Sequence, residues 1–295
     1  MIRKALFAVL VLGAPRVEAA VKIVATTSSM ELLAHVVGGD AVRITTLSPP
    51  DRDAHHLLAK PSMMVALRNA DLVLAVGGEL EVGWLPAALQ GAANPRILPG
   101  QAGYFEGSAQ IDLIEKGGSA DRSRGDVHPM GNPHFYMDPE RMARVAKALA
   151  GRLGSLDSSH AAIFAANAEA FTKAVAERIP GWKSRAAGAP GIVFYHKDGD
   201  YLANLLEVPI LGFVEPLPGI PPTASHLKGL VEKLKGQHGV ILYNTYHSGD
   251  GPQFLARELG WKAFQLQLEV DTGADAKAYL DHIDRWVTAA ASARQ

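Results

Sequence analysis

A chain of 295 residues is long enough to bury one large hydrophobic core or two medium ones. Hydrophobic residues make up 48% and charged residues 20%, the balance of a soluble globular protein. With 29 basic against 30 acidic residues and a formal net charge of -1, the chain lacks the basic surplus that nucleic acid or an anionic membrane demands.

The first residues depart from this balance. "MIRK" is a basic head, and "ALFAVLVLGA" is an apolar run too short to span a bilayer. Val17 and Ala19 then stand where a signal peptidase reads small residues. Residues 1–19 are therefore expected to be a secretory leader, with the mature chain starting near Ala20 and working in the periplasm. The absence of cysteine excludes disulfides, thiolate metal sites and a lipid-bearing cysteine at the cleavage point.

In chain order, "VKIVATT" reads as a buried strand, and "SSMELLAHVVGG" as a helix. Ser28 and Glu31 have capping-box spacing there, and Gly38 and Gly39 end the helix. "AVRITTL" is a second strand, "KPSMMVALRNA" a short helix and "DLVLAVGG" a third strand. "DPERMARVAKALAGRL" opens with Asp138 as N-cap and Pro139 at the first helical position. Residues 158–186 continue as a long helical pattern through Ile163, Asn167, Phe171, Val175 and Ile179. The alternation then restarts: "GIVFY", "VPILGF", "GVILYN" and "WKAFQLQL" as strands, with helices after each. Near-continuous apolar strands alternating with helices predict parallel sheets. The expected fold is α/β, with two lobes, each a parallel sheet flanked by helices, joined by one long connecting helix. The expected units are the leader 1–19, an N-terminal lobe 20–157, a connecting helix 158–187 and a C-terminal lobe 188–295. Ligands of such sheets bind beyond the carboxyl ends of the strands, so the cleft between lobes is the expected site.

The eleven histidines divide against that map. His35, His160, His226, His238 and His282 fall in or beside helical patterns and read as surface or helix-end residues. His55 and His56 follow the second strand, His134 precedes the Asp138 helix start, and His196 ends the "GIVFY" strand. Imidazoles brought together from both halves would make a site for a divalent metal such as zinc.

Several longer stretches resemble the zinc- and manganese-binding solute-binding proteins of bacterial ABC importers, the ZnuA and TroA type. They are "VKIVATTSSMELLAHVVGGD", "DAHHLLAKPSMMVALRNADLVLAVG", "LEVGWLP", "NPHFYMDP", "VFYHKDGDYLANLL" and "LPGIPPTASHLKGLVEKLK". The resemblance runs over nearly all of the chain after the leader. It implies His55, His134 and His196 as metal ligands, with His56 only a neighbour. A histidine at the third position, rather than a glutamate, resembles the zinc members, and nitrogen-rich sites favour Zn²⁺ over Mn²⁺.

Two departures stand out. Where the family places an aspartate as fourth ligand, this chain reads "FQLQLEVDTGAD". Gln267 falls in register, and Glu269, Asp271 and His247 are substitutes. Asp271 is the candidate among them, and water is the remaining alternative. The histidine-rich insertion of many zinc members is also missing, since residues 106–127 hold no histidine. His128 lies six residues before His134, either recruiting metal or acting structurally.

The implied function is capture of Zn²⁺ between two lobes and delivery to an ABC permease, by a monomer that is not an enzyme. The long connecting helix is expected to limit closure to a modest tilt. An exported three-histidine zinc hydrolase is the rival, with Glu81 or Glu215 as base, although no HExxH pattern supports it. A periplasmic zinc chaperone or an adhesin on the same fold is another.

Overall fold

The computed structural model describes residues 20–117 and 125–294, so the leader read over 1–19 lies outside the described residues. The first lobe contains β1 (Val21–Ala25), α1 (Ser28–Gly38), β2 (Val42–Thr46), α2 (Pro61–Arg68), β3 (Leu72–Ala75), α3 (Leu85–Ala92) and β4 (Tyr104–Glu106). Its strands are all parallel, in the order β2-β1-β3-β4. After α4 (Pro139–Leu156) and the 26-residue α5 (Ala161–Ala186) comes the second lobe. It holds β5 (Ile192–Phe194), α6 (Asp200–Leu206), β6 (Ile210–Phe213), α7 (Ala224–Leu234), β7 (Val240–Asn244), α8 (Asp250–Leu259), β8 (Lys262–Leu266) and α9 (Ala276–Ala291). Its order, β6-β5-β7-β8, repeats that of the first lobe, again all parallel. The fold expected from the sequence is the fold observed.

Alternation along the strands explains the layering. Ile23, Leu72, Leu74, Ile192, Phe194, Val240 and Leu242 point to one continuous core that also takes the buried faces of α1, α4, α5 and α9. Val24 and Val73 turn the other way, against Met63, Leu67, Trp84 and Leu89 of the first lobe. Val193 and Ile241 do the same against Leu230, Leu255 and Trp261 of the second. Each sheet is thus covered on both faces, which is why β3, β5 and β7 are buried along their whole length, whereas β2 and β8 at the edges turn Arg43, Lys262 and Gln265 outward.

The helix ends show where tertiary contacts overrode local signals. Asp138 caps α4 as expected, accepting from the backbone N–H of Glu140 and Arg141. On α1 the cap is Thr27, one residue earlier than the Ser28 spacing predicted. Ser28 and Glu31 are used across the lobes instead: Ser28 Oγ donates to Glu269, and Glu31 accepts from Gly273 N–H at 3.2 Å. On α5 the buried face is Phe164, Ala168, Phe171, Val175, Ile179 and Trp182, whereas Ile163 is 51% exposed. His282, expected at the surface, is buried on α9 with Nε2 3.0 Å from the Leu268 carbonyl.

Buried hydrogen bonds staple the lobes beside the cleft. Ser29 N–H donates to Glu269 at 2.7 Å, and Tyr279 Oη donates to the Tyr136 carbonyl at 2.9 Å. Tyr201 Oη donates to the Asn132 carbonyl at 2.7 Å, while the Asn132 amide donates to the Lys197 carbonyl at 2.7 Å. Among the described residues no helix is long and apolar enough to cross a membrane.

Candidate metal centre

The loop after β2 turns back on itself because Asp53 caps a short 3-10 turn, accepting from His55 N–H at 2.9 Å. Trp84 locks the turn from below, its indole N–H donating to the Ala54 carbonyl at 2.8 Å. His134 stands at another 3-10 turn just before α4, with its N–H held by the Asn132 side chain at 3.0 Å. His196 leaves the carboxyl end of β5 two residues after Phe194. These three sites bring His55, His134 and His196 together, one ligand atom from each lying within 4.8 Å of the others.

Each ring is oriented from behind. His55 Nδ1 lies 2.7 Å from Asp53 Oδ1, and His196 Nδ1 lies 2.8 Å from Glu215 Oε2. Carboxylates only accept, so both rings carry their proton on Nδ1 and turn Nε2 toward the cluster. His134 Nδ1 lies 2.8 Å from the Tyr136 hydroxyl, which sets the third ring the same way. This oxygen-to-imidazole backing is how metal-ligating histidines are held. His134 is 1% exposed, and its Nε2 is buried without a hydrogen-bond partner. A buried polar atom in that state is costly unless something binds it, and a divalent metal fits the donor set.

The electrostatics favour a cation at this point. Burial, then the neighbouring imidazoles, hold His134 well below the usual histidine range, so it stays a neutral ligand. Burial opposes charge on His196 too, but the Glu215 hydrogen bond and the Asp198 and Asp53 carboxylates outweigh it and lift the ring to about 9. Burial likewise opposes charge on Asp53, yet its hydrogen bonds and charge attraction to His55 hold the carboxyl well below its usual range. A neutral His134 with the Asp53 and Glu215 carboxylates behind its two partner rings suits a dication.

The other sequence candidates fall elsewhere. Asp271 is exposed and accepts from the Gln267 amide at 2.9 Å, and the same Gln267 amide donates to the Glu269 carbonyl. Glu269 is buried beneath the start of α1, on Ser28 and Ser29. His247 lies flat on Tyr195, ring centroids 3.9 Å apart, and 6.2 Å from the His196 ring. The cluster of three therefore includes none of these acids, and the expectation of Asp271 as fourth ligand is not met by its position. His56 is exposed and pairs with Asp126 at 3.2 Å. His128, for which the sequence allows either role, lies with Nε2 3.1 Å from His55 Nε2. Nothing in the spacing of residues 55 and 128 announces this approach.

The residues offered for hydrolysis are otherwise engaged. Glu215 backs His196 and also accepts from Gly219 N–H at 3.0 Å. Glu81 is 3% exposed and accepts from Thr26 Oγ1 at 2.6 Å and from the N–H groups of Val76 and Gly77.

Residues 23–293 match the model of the family described as ZnuA, zinc-uptake complex component A, periplasmic. The chain belongs to this family, the metal-binding substrate-binding components of ABC importers. The curated relatives it matches are substrate-binding proteins of ABC transporters and not enzymes. A manganese ABC transporter substrate-binding lipoprotein, PsaA of Streptococcus pneumoniae, is 24% identical over 221 residues, 72% of this chain and 68% of that protein. A crystal structure of ZnuA superposes with a TM-score of 0.78 at 21% identity, covering 94% of this chain and 100% of that one. The FpvC protein of Pseudomonas aeruginosa, in complex with Mn²⁺, gives 0.79 at 22% identity over 92% of this chain and 98% of its own. The last two likenesses establish the fold.

Proposed function

We propose that this protein captures Zn²⁺ between its lobes through Nε2 of His55, His134 and His196 and delivers it to a membrane permease. The observation that carries the reading is the shared orientation of three imidazoles, each backed at Nδ1 by an oxygen, around a buried Nε2 that has no hydrogen-bond partner. Imidazole nitrogen suits zinc, whereas magnesium, calcium and manganese prefer oxygen. Residues 1–19 act as the export leader, 20–157 and 188–295 as the lobes, 158–187 as the connecting helix, and the protein works as a periplasmic monomer. The hydrogen bonds between lobes favour release through local rearrangement at the site over wide hinge opening.

Native mass spectrometry of metal-stripped protein given Zn²⁺ and Mn²⁺ together tests this. One zinc per chain, lost in His55→Ala, His134→Ala and His196→Ala, is the expected result. Manganese uptake in preference to zinc overturns the metal, and binding untouched by all three substitutions overturns the site.

A further inference from the structure

The three-histidine cluster is crossed by residues 125–128, and both lobes hold this strap. On the first-lobe side, Asp126 pairs with His56 at 3.2 Å. On the second-lobe side, Asp126 N–H donates to the Pro218 carbonyl at 2.8 Å. The strap passes so close to the second lobe that Gly125 has no room for a side chain against the Pro218 backbone, and Gly219 has none against the Asp126 carboxylate. A Cβ on Gly125, at φ +108, would lie 2.0 Å from the Pro218 oxygen, and one on Gly219, at φ +74, would lie 2.3 Å from Asp126. The Gly219 N–H in turn donates to Glu215, the carboxylate behind His196. The strap is therefore anchored to residues flanking two of the three imidazoles.

At its end the strap places His128 against the cluster. A tetrahedral zinc with Zn–N near 2.0–2.1 Å sets neighbouring ligand nitrogens roughly 3.3–3.4 Å apart, and ring centroids about 5.2 Å apart. The three rings already described stand at 5.1, 5.5 and 5.2 Å from one another. His128 stands 5.2 Å from His55 by centroid and 3.1 Å by Nε2, in the same range. Its ring is 6.4 Å from that of His134, about 1 Å beyond that spacing, and it lies outside the group of three whose ligand atoms stand within 4.8 Å of one another, so His128 has to move inward to join them.

We propose that His128 is the fourth metal ligand, carried across the cleft by the strap of residues 125–128. The inference rests on the three-histidine reading above. It explains how the chain dispenses with a carboxylate as fourth ligand while Asp271 and Glu269 are engaged elsewhere. It also gives His56 a place: the second histidine of the pair positions the strap through Asp126 and does not bind metal itself. Four neutral imidazoles form a softer site than three imidazoles and a carboxylate, which moves preference away from manganese.

X-ray absorption at the zinc edge, with chelator competition for affinity, tests the proposal on the wild type, His128→Ala, His128→Gln and His247→Ala. The expected result is four imidazoles in the wild type and in His247→Ala. Both His128 variants should show three imidazoles plus one oxygen, with zinc affinity lower by at least roughly tenfold, the low end even for outer partners of a metal. Three imidazoles plus oxygen in the wild type, or unchanged affinity in both His128 variants, overturns the fourth ligand and leaves the other three standing. Zinc binding that survives loss of His55, His134 and His196 overturns both readings.

Discussion

The first lobe reaches the cleft with loops, at His55 and His134, whereas the second reaches it with a strand end, at His196. The two sheets have the same strand order, so the difference lies in the segments that leave the strands. The loops of the first lobe are made rigid by local hydrogen bonds from Asp53, Trp84 and Asn132. The second lobe surrounds its single proposed ligand with buried acids, Glu215 behind the ring and Asp198 nearby, the latter raised to about 7 by burial. Each lobe backs a histidine with a carboxylate, Asp53 in the first and Glu215 in the second, but only the second adds a further acid, Asp198, that burial raises.

Substitutions in the two lobes test that division. The largest effect is expected for His134→Ala, which removes the most buried of the three proposed ligands. Structural zinc sites bind with about 10–16 kcal/mol, so sharing this over three or four ligands predicts a loss of roughly a hundredfold or more. Isothermal titration against a competing chelator measures it, and a loss below tenfold would place the ion outside the cluster. Next comes Glu215→Ala, which leaves His196 in place but removes its backing. Affinity should fall about 10- to 100-fold, and an equal fall in Asp53→Ala would show that the lobes orient their ligands by the same means.

A third variant concerns the contact between lobes. Glu269→Ala leaves the Ser28 hydroxyl and Ser29 N–H without their acceptor, at a cost of about 1–3 kcal/mol. Calorimetric melting of metal-stripped protein should show a lowered Tm, while Glu269→Gln, which keeps an acceptor, should melt closer to wild type. The fourth test uses pH. Burial, then Arg285, hold His282 at about 4, against 6.5 when unfolded. Its folded pKa is depressed, so the unfolded chain binds the extra proton. Stability is complete above pH 6.5 and falls as pH drops toward 4, by about 2 kcal/mol at pH 5. Asp198, raised by burial, works in the opposite sense, so the readout is the difference between wild type and His282→Gln in denaturant melts at pH 7 and pH 5. A constant difference would mean that His282 does not titrate in this window.

Much of this architecture is legible in the sequence. Apolar runs mark the strands, Asp138 and Pro139 mark the start of α4, the loop positions pick out His55, His56, His134 and His196, and the family resemblance chooses His55 over His56. The features that stay hidden depend on distant parts of the chain meeting. The buried face of α5 begins at Phe164 and not Ile163 because packing on α1, α4 and α9 chooses it. Glu31 looks like a local cap but is taken by Gly273, 242 residues away. His128 is 73 residues from His55, and only the return of the chain over the cleft reveals their contact.

The hydrogen bond from Trp84 to the Ala54 carbonyl has a practical consequence. It couples a fully buried indole to the residue next to His55, so a shift of the ligand loop alters the surroundings of a chromophore. Of the four tryptophans, Trp182 and Trp286 lie in α5 and α9, and Trp261 packs on the outer face of the second sheet. The protein thus carries its own optical gauge, with one emitter wired to the loop of the proposed metal site and three as internal reference.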